Sequence, residues 1–399
     1  MSAHANPDIV DDSLVFIYDT DDGKSFKGEP TVNLATDSPS QGGWAGGREV
    51  LDSSRKKFRF IVDNFNASAG SGQGWRSFTW DLNSYSGQSV TISATVEVPS
   101  ASPGTFAWIM MGQTNTHTSN NSGAGQYMGY SASSERVQKT TTTTEHITWT
   151  GTVGSTGTAS QPSGHVGFTL WYNGGTIGVD SYVEVSNVQI EINSHATQFV
   201  NGTRSATQGL LDRTGTSTID ISNASFDSNA QMTFDGTDDY FEISDPNVSS
   251  SDGFSVELII KPDNPTSSPA VIVPNSGGID HWIRFDGNGR LYIRMIPAAN
   301  SGGQNFITST ELSSGNYHHV VFTFKQSEGG KAYYNGALET SAAATLTALD
   351  WSGIWRIGQR GNNTWFLEGE LPMLKIYNKT LTTSEVLQNF NATKSRFGL

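Results

Sequence analysis

The stretches Phe254-Ser-Val-Glu-Leu-Ile-Ile-Lys-Pro262 and Tyr317-His-His-Val-Val-Phe-Thr-Phe324 decide the fold. Both are short runs rich in β-branched and aromatic residues, which is typical of β-strands. Similar runs recur along most of the chain, at 89–98, 182–192 and 290–295. Several alternate apolar and polar residues, so each predicted strand has one face in a core and one face in water. The sequence therefore predicts antiparallel β-sandwiches.

Two turns support this prediction. Asn335-Gly336 and Asp286-Gly-Asn-Gly289 each separate two apolar runs. Such turns favour residues that adopt positive φ, and they are typical of tight β-hairpins.

One helix is predicted, at the C-terminus. Thr382 can cap it, and Glu385 lies three residues later, where it completes a capping box. Val386, Leu387 and Phe390 would form its apolar face. We therefore expect an all-β chain with two antiparallel sandwiches and one short C-terminal helix.

Composition excludes several classes of function. The 399 residues include 38 acidic and 24 basic ones, which gives a net charge of −14, so a nucleic-acid partner is not expected. The chain has no cysteine, which excludes disulfides, thiolate catalysis and Cys-ligated zinc. No apolar run approaches the roughly 20 residues of a membrane span, and residues 1–12 lack the pattern of a signal peptide. We expect synthesis in a cytoplasm and no membrane insertion.

Residues 198–381 resemble the laminin-G/concanavalin-A-like family. The matching pieces occur in the family's order and are 232–243, 254–262, 317–324, 334–336, 355–358 and 369–381. The resemblance implies a two-sheet sandwich in this half of the chain.

The resemblance also implies a discontinuous domain. Residues 13–20 and 24–28 resemble the family's opening strand, which usually continues directly into a Leu-Asp-x-Thr-Gly piece, here Leu211-Asp-Arg-Thr-Gly215. We predict an N-terminal arm at 1–12, a laminin-G-like sandwich from 13–29 plus 198–399, and an inserted domain at 30–197. The insert resembles a carbohydrate-binding-module jelly roll, on pieces at 74–80, 90–98 and 147–151.

Two further pieces resemble virion proteins of tailed phages. Residues 185–205 resemble a junction in tailed-phage structural proteins, and 389–399 resemble C-termini in structural proteins of marine and cyanobacterial phages. The resemblance implies a protein on the virion surface that docks on other virion proteins and forms a homo-oligomer, with its arm against a partner. Three functions stay open: a capsid decoration or head-fibre protein, a tail-fibre adhesin that binds receptors, and a glycan-cleaving enzyme.

Aromatic residues are the candidates for glycan binding, because their flat apolar faces suit sugar rings. The candidates are Trp44, Trp75, Trp171, Tyr172 and Trp365. Three of them, Trp44, Trp75 and Trp365, are flanked by glycine or asparagine and are expected in exposed loops. The alternative role is core filling, which we expect for Trp80, Trp149 and Trp282.

Aspartates are the candidates for a metal site. Asp235 and Asp238 share one turn, and Asp180 precedes a predicted strand. Oxygen ligands clustered in a loop suit calcium, but aspartate is also a common turn residue in its own right. The sequence therefore allows a calcium ion and requires no cofactor.

No catalytic residue is predicted. Glu368 and Glu370 lie on one face of a predicted strand, but the chain lacks the Glu-x-Asp-x-x-Glu run of sandwich glycosidases. His318 and His319 are adjacent on a strand, so their side chains should lie on opposite faces and cannot bind one metal ion.

Overall fold

The computed structural model of the protein describes residues 8–43, 48–61, 73–97, 106–115, 136–139, 144–154, 162–173, 182–274, 281–295, 304–343, 351–361 and 364–399. The chain is all-β, as predicted, and its one long helix among the described residues lies at the C-terminus.

The elements are numbered in chain order. The strands are β1 (Leu14–Asp19), β2 (Thr31–Val32), β3 (Ser40–Gly43), β4 (Arg48–Asp52), β5 (Lys57–Ile61), β6 (Gln73–Asp81), β7 (Ser89–Glu97), β8 (Phe106–Asn115), β9 (Arg136–Lys139), β10 (Thr144–Thr152), β11 (Pro162–Asn173), β12 (Tyr182–Glu191), β13 (Thr203–Arg204), β14 (Ile219–Asp220), β15 (Ser225–Phe226), β16 (Met232–Asp235), β17 (Phe241–Ile243), β18 (Phe254–Pro262), β19 (Ala270–Pro274), β20 (Trp282–Phe285), β21 (Leu291–Met295), β22 (Gln304–Ile307), β23 (His318–Lys325), β24 (Gly329–Tyr334), β25 (Ala337–Ala342), β26 (Trp355–Ile357) and β27 (Glu368–Tyr377). The helices are α1 (Ala206–Gly209) and α2 (Thr383–Phe397), and 3₁₀ turns lie at Ser53–Arg55, Asn83–Tyr85 and Pro265–Ser267.

The chain forms two compact units. Unit 1 comprises Met1–Pro30, Ser205–Asp227 and Gln231–Leu399, and unit 2 comprises Thr31–Arg204 and Ser228–Ala230. Residues 198–204, which the sequence assigns to the laminin-G-like sandwich, therefore lie in unit 2. The reason is local pairing, because β13 pairs with β2 and the Arg204 guanidinium donates to the Gln198 carbonyl at 3.0 Å.

Unit 1 contains two large antiparallel sheets. The first has eight strands in the order β15-β16-β27-β18-β23-β24-β25, and β1 also pairs with β27. In that pairing Phe16 lies opposite Ile376 and Tyr18 opposite Leu374, so a strand near the N-terminus completes a sheet built from the C-terminal half. The second sheet has seven strands, in the order β14-β17-β26-β19-β20-β21-β22.

Both sheets supply alternate residues to one core. Val256, Leu258 and Ile260 of β18 belong to the same buried cluster as Ile283 and Ile293 of the seven-stranded sheet. Each sheet buries one face in this core, as the period-two pattern predicts. The opposite face of the seven-stranded sheet carries the group of Trp282 and Trp365 described below.

The hairpins form as predicted. β24 and β25 are joined by Asn335 at φ 46° and Gly336 at φ 80°, the left-handed values of a two-residue hairpin turn. At the other turn, between β20 and β21, Gly289 has φ 78° and the Asp286 carboxylate accepts hydrogen bonds from Asn288 and Arg290.

Helix α2 packs on the face of the eight-stranded sheet opposite the core. Its capping box is the predicted one, with Thr382 accepting from the Glu385 amide and Glu385 from the Thr382 amide. Its buried residues are Val386, Asn389, Thr393 and Phe397. The predicted apolar face is wrong at Leu387, which is 46% exposed, because it is one residue, or about 100° of helix rotation, from the row that begins at Val386.

A buried polar network joins α2 to the sheet. Glu257 of β18 is fully buried and accepts from the Lys375 ammonium at 2.8 Å, from His319 at 3.2 Å and from Asn389 at 2.5 Å. The charge of Lys375 and the His319 hydrogen bond outweigh the large cost of burial and lower the pKa of Glu257 to about 2.

The two adjacent histidines have different surroundings. His319 donates from Nε2 to the Glu257 carboxylate, whereas His318 contacts the Tyr334 hydroxyl at 3.0 Å and the Ser313 carbonyl at 2.9 Å. The prediction that they lie on opposite faces of the strand is confirmed.

The described part of the N-terminal arm packs on its own chain. The Val10 amide donates to Asn389 at 2.7 Å, and the Tyr377 hydroxyl donates to the Val10 carbonyl at 3.1 Å. Val10 is 8% exposed. For residues 8–12, these intrachain contacts satisfy the backbone of Val10, and the expectation that the arm lies against a partner subunit stays a prediction.

Unit 2 is a second antiparallel sandwich. Its two five-stranded sheets have the orders β10-β7-β12-β5-β4 and β3-β6-β11-β8-β9. Its core includes Trp80 and Trp149, as predicted, together with Phe58, Phe78 and Phe168. Its similarity to a carbohydrate-binding jelly roll stays a prediction.

No helix among the described residues is both long enough and apolar enough to cross a membrane.

Candidate functional site

The loop between β16 and β17 brings three aspartates together. The carboxylates of Asp235, Asp238 and Asp239 each place an oxygen within 4.8 Å of the others. Gly236 has φ 78°, which allows the tight turn. The Asp235 carboxylate accepts from the Thr237 amide at 2.7 Å, and the Asp239 carboxylate accepts from the Asp235 amide at 2.7 Å. The loop is therefore held in shape by its own side chains.

Asp239 is the unusual member of this acidic loop. Asp235 and Asp238 are exposed, but Asp239 is 2% exposed. Burial raises the pKa of Asp239, and the nearby charges of Asp235 and Asp238 raise it further, against hydrogen bonds from Ser225 and the Asp235 amide. Three converging carboxylates of this kind fit a hard cation such as calcium, which binds six to eight oxygens. Asp235 and Asp238 are ligands predicted from sequence, and Asp239 is added by the structure.

A surface cavity of about 650 Å³ adjoins the acidic loop. Its lining includes Asn223, Asp238, Asp239, Tyr240 and Gln359. Amide, carboxylate and hydroxyl groups around one cavity can hydrogen-bond a polyhydroxylated ligand.

Trp365 belongs to a second group of residues, on the outer face of the seven-stranded sheet. It is half-buried, has φ 61°, and its carbonyl accepts from the Ala270 amide at 2.7 Å. Its ring meets the Trp282 ring edge-on, with 5.5 Å between the centroids. The expectation of an exposed stacking surface is wrong here, because the Arg284 and Arg360 guanidiniums lie 4.0 and 4.4 Å from the Trp365 ring centre.

Cross-strand register explains this group. Trp282 of β20 lies opposite Arg294 of β21, and Arg284 lies opposite Tyr292. These positions alternate with Ile283 and Ile293, which are in the core. Sequence reasoning missed the arginines, although the repeated aromatic-x-Arg pattern in both strands of the hairpin was a usable signal.

The other aromatic candidates lie in unit 2. Trp75 is in strand β6, not in a loop, and it pairs with Trp171 of β11. Trp171 also pairs with Trp108 of β8. Tyr172 follows Trp171 in β11, opposite Phe106. The register thus places three tryptophan positions in one row across adjacent strands, here called the tryptophan row.

Strand alternation predicts that the tryptophan row lies on the sheet face opposite the unit 2 core. One row of core positions in the same three strands is Phe78, Phe168 and Met111, which also pair with one another. Each tryptophan position is three residues from its core counterpart, and residues an odd number apart on a strand occupy opposite faces. The candidates Trp44 and Asp180 lie outside the described residues.

The Glu370 carboxylate of β27 is engaged in other contacts. Glu370 accepts from the Lys261 ammonium at 2.7 Å and from the Tyr317 hydroxyl at 2.6 Å. Glu368 lies opposite Asp235 in the strand pairing. Glu370 is therefore held in an ion pair and does not face the acidic loop as a free carboxylate.

Comparison with known proteins gives the fold of unit 1. Residues 235–387 match the profile of the Concanavalin A-like lectin/glucanases superfamily. No curated protein sequence matches the chain.

Solved structures give weaker matches. The binding domain of botulinum neurotoxin serotype G is 16% identical, with a TM-score of 0.40 over 47% of this chain and 49% of that one. The binding domain of Paraclostridial Mosquitocidal Protein 1 is 19% identical, with a TM-score of 0.36 over 46% and 49%. The match therefore spans about half the length of these toxin domains, and scores this low do not bear on what the chain binds. The chain is all-β, and residues 235–387, which lie in the two-sheet sandwich of unit 1, are similar to the concanavalin-A-like lectin fold.

Proposed function

We propose that this protein is a non-enzymatic phage virion protein, displayed on the particle surface as a capsid decoration or head fibre, that binds glycans. The observation that supports glycan binding is the tryptophan row of Trp75, Trp171 and Trp108. Strands in a sheet are about 4.8 Å apart, so the row spans about 10 Å. That length suits contact with consecutive rings of one sugar chain.

The row also connects residues that are far apart in sequence. Two candidates chosen from sequence alone, Trp75 and Trp171, are neighbours across one strand pair, and Trp108 extends them on the other side. Strand alternation assigns the three row positions to the face opposite Phe78, Phe168 and Met111. Tryptophans at such positions favour binding over core filling.

The virion assignment is supported by sequence. The phage-like pieces at 185–205 and 389–399 support it, and docking on other virion proteins and homo-oligomerisation follow from it. Immunogold labelling of intact particles with antibody to the full chain tests it. Label on the head supports the decoration role, label on the tail replaces it with the adhesin role, and no label on purified particles contradicts both.

The calcium proposal concerns the acidic loop. Asp235, Asp238 and Asp239 would hold the ion, which would neutralise their mutual repulsion and fix the wall of the adjoining cavity. Asp180 stays a separate candidate in unit 2.

A glycan array tests the binding proposal. We expect the full chain to bind at least one glycan, Trp171→Ala to lose at least about tenfold in affinity, and Trp171→Phe to keep most of it, since a phenyl ring preserves a flat apolar face. Thermal melting verifies that both variants fold. Equal binding by the Ala and Phe variants, or no binding by the parent chain, would refute the tryptophan row as a site.

A further inference from the structure

Three arginines surround two tryptophans on the outer face of the seven-stranded sheet. The guanidinium carbon of Arg284 lies 4.0 Å from the Trp365 ring centre and 5.6 Å from that of Trp282. Arg294 lies 4.8 Å from the Trp282 ring centre, and Arg360 contacts both rings. Such contacts stabilise a cation over the negative face of an aromatic ring.

Two of these arginines have no carboxylate partner among the residues that the structure describes. Arg284 donates from Nε to the Tyr292 hydroxyl, a neutral group. Other arginines of the same sheet are neutralised. Arg356 pairs with Glu242 at 2.5 Å, and Arg290 pairs with Asp286 at 2.7 Å. The Arg284–Arg294 pair therefore concentrates positive charge on one face of a chain whose net charge is −14.

Two buried donors on this face also lack a hydrogen-bond partner within the described part of the chain. They are Nε of Arg294 and Nε1 of Trp282, whose side chain is almost fully buried. Both groups can only donate hydrogen bonds. A buried donor without a partner is costly, so these two donors mark a face whose polar groups the described part of the chain does not fully satisfy.

We propose that this face binds an acidic glycan, through a sugar carboxylate or sulfate held by Arg284 and Arg294. The guanidinium groups match oxyanions in geometry and charge, and the part of the half-buried Trp365 that stays exposed gives apolar surface for the sugar ring. The site lies in unit 1, and it does not depend on the tryptophan row.

The net negative charge of the chain does not prevent this binding. At physiological ionic strength the Debye length is about 8 Å, so distant acidic residues are largely screened. Nucleic acid is the less favoured polyanion, because duplex binding uses many phosphate contacts along an extended basic surface. This site presents only two guanidinium groups that lack a carboxylate partner within the described residues.

Biolayer interferometry with the full chain tests the proposal. The probes are polygalacturonate, which carries carboxylates, dextran sulfate, which carries sulfates, neutral dextran, and duplex DNA. The double variant Arg284→Gln/Arg294→Gln removes the two charges, and Arg284→Lys/Arg294→Lys keeps charge but loses the planar fork. The matched control is Arg290→Gln, which removes a charge from the turn of the same hairpin.

We expect binding to at least one acidic polysaccharide but not to dextran through this face. The double Gln variant should bind about tenfold or more weakly, as the loss of one charge-assisted hydrogen bond already predicts. The Lys variant should be intermediate, and Arg290→Gln should change affinity less than twofold. Binding to polygalacturonate alone identifies a carboxylate as the ligand group, and binding to dextran sulfate alone identifies a sulfate.

The inference is overturned if neither acidic polymer binds, if Arg290→Gln weakens binding as much as the double variant, or if DNA binds equally well. If a neutral glycan still binds through Trp171 in that case, this inference fails while the proposed function stands.

Discussion

Replacing Lys375 by Met should leave the Glu257 carboxylate buried without its cation. Both side chains are fully buried, with 2.8 Å between the ammonium nitrogen and the carboxylate oxygen. A pKa lowered from 4.5 to about 2 corresponds to about 3 kcal/mol of stabilisation of the charged form. Breaking a buried pair from one side costs about 3–5 kcal/mol, and we expect Lys375→Met to destabilise unit 1 by that amount.

Hydrogen-exchange mass spectrometry across a urea series measures this cost, because peptides from β18 and β27 give the stability of unit 1 separately from unit 2. The control is Lys325→Met, which breaks an exposed pair with Glu328 and should cost less than about 1 kcal/mol. Adding Glu257→Gln to Lys375→Met removes the buried charge but keeps an acceptor for His319. The double variant should therefore recover at least half of the free energy of unfolding that Lys375→Met loses.

The sign of the pH dependence follows from the same pair. The pKa of Glu257 is lowered in the folded state, so its stabilisation is present above pH 4.5 and is lost as the pH falls towards 2. The deficit of Lys375→Met should therefore shrink across that window. The reasoning is refuted if Lys375→Met lowers the free energy of unfolding no more than Lys325→Met does. It is also refuted if adding Glu257→Gln to Lys375→Met restores none of the lost stability.

Three further predictions concern single residues of unit 1. Asp239→Asn should raise the melting temperature without calcium, since it removes a buried carboxylate beside two others, and it should abolish any rise in melting temperature on adding calcium. Scanning calorimetry checks both expectations, and a calcium-induced rise in the variant equal to that of the parent contradicts the proposed ligand set. Thr382→Ala should lower the free energy of unfolding by about 1 kcal/mol, because it removes the α2 cap. Hydrogen exchange of the α2 amides measures this loss, and an unchanged exchange rate would contradict it. Gly336→Ala should cost more than about 1 kcal/mol, because the position has φ 80° and an added Cβ would lie 2.9 Å from Phe390; an unchanged urea midpoint would count against it.

Features that depend on local rules were predictable from sequence. The turn at Asn335-Gly336 and the capping box of Thr382 and Glu385 involve residues within a few positions of one another, and both form as predicted. The alternation of β18 and β23 also predicted which sheet faces enter the core, because side-chain direction has a period of two.

The family resemblance predicted that residues 13–20 join the C-terminal half, and β1 does pair with β27. Other long-range contacts were not predictable. Val10 bonds to Asn389, which lies 379 residues later, and no local pattern indicates that contact. The same limit applies to Arg294, whose position beside Trp282 follows from strand register, and to Trp365, which reaches that face from a different part of the chain.

Hydroxyl-radical footprinting of the full chain with a bound oligosaccharide from the array tests the glycan-binding claim most directly. The account predicts that the ligand lowers oxidation of Trp75, Trp108 and Trp171 and leaves that of the core residues Trp80 and Trp149 unchanged. Saturating ligand with no change at the three row positions would contradict it.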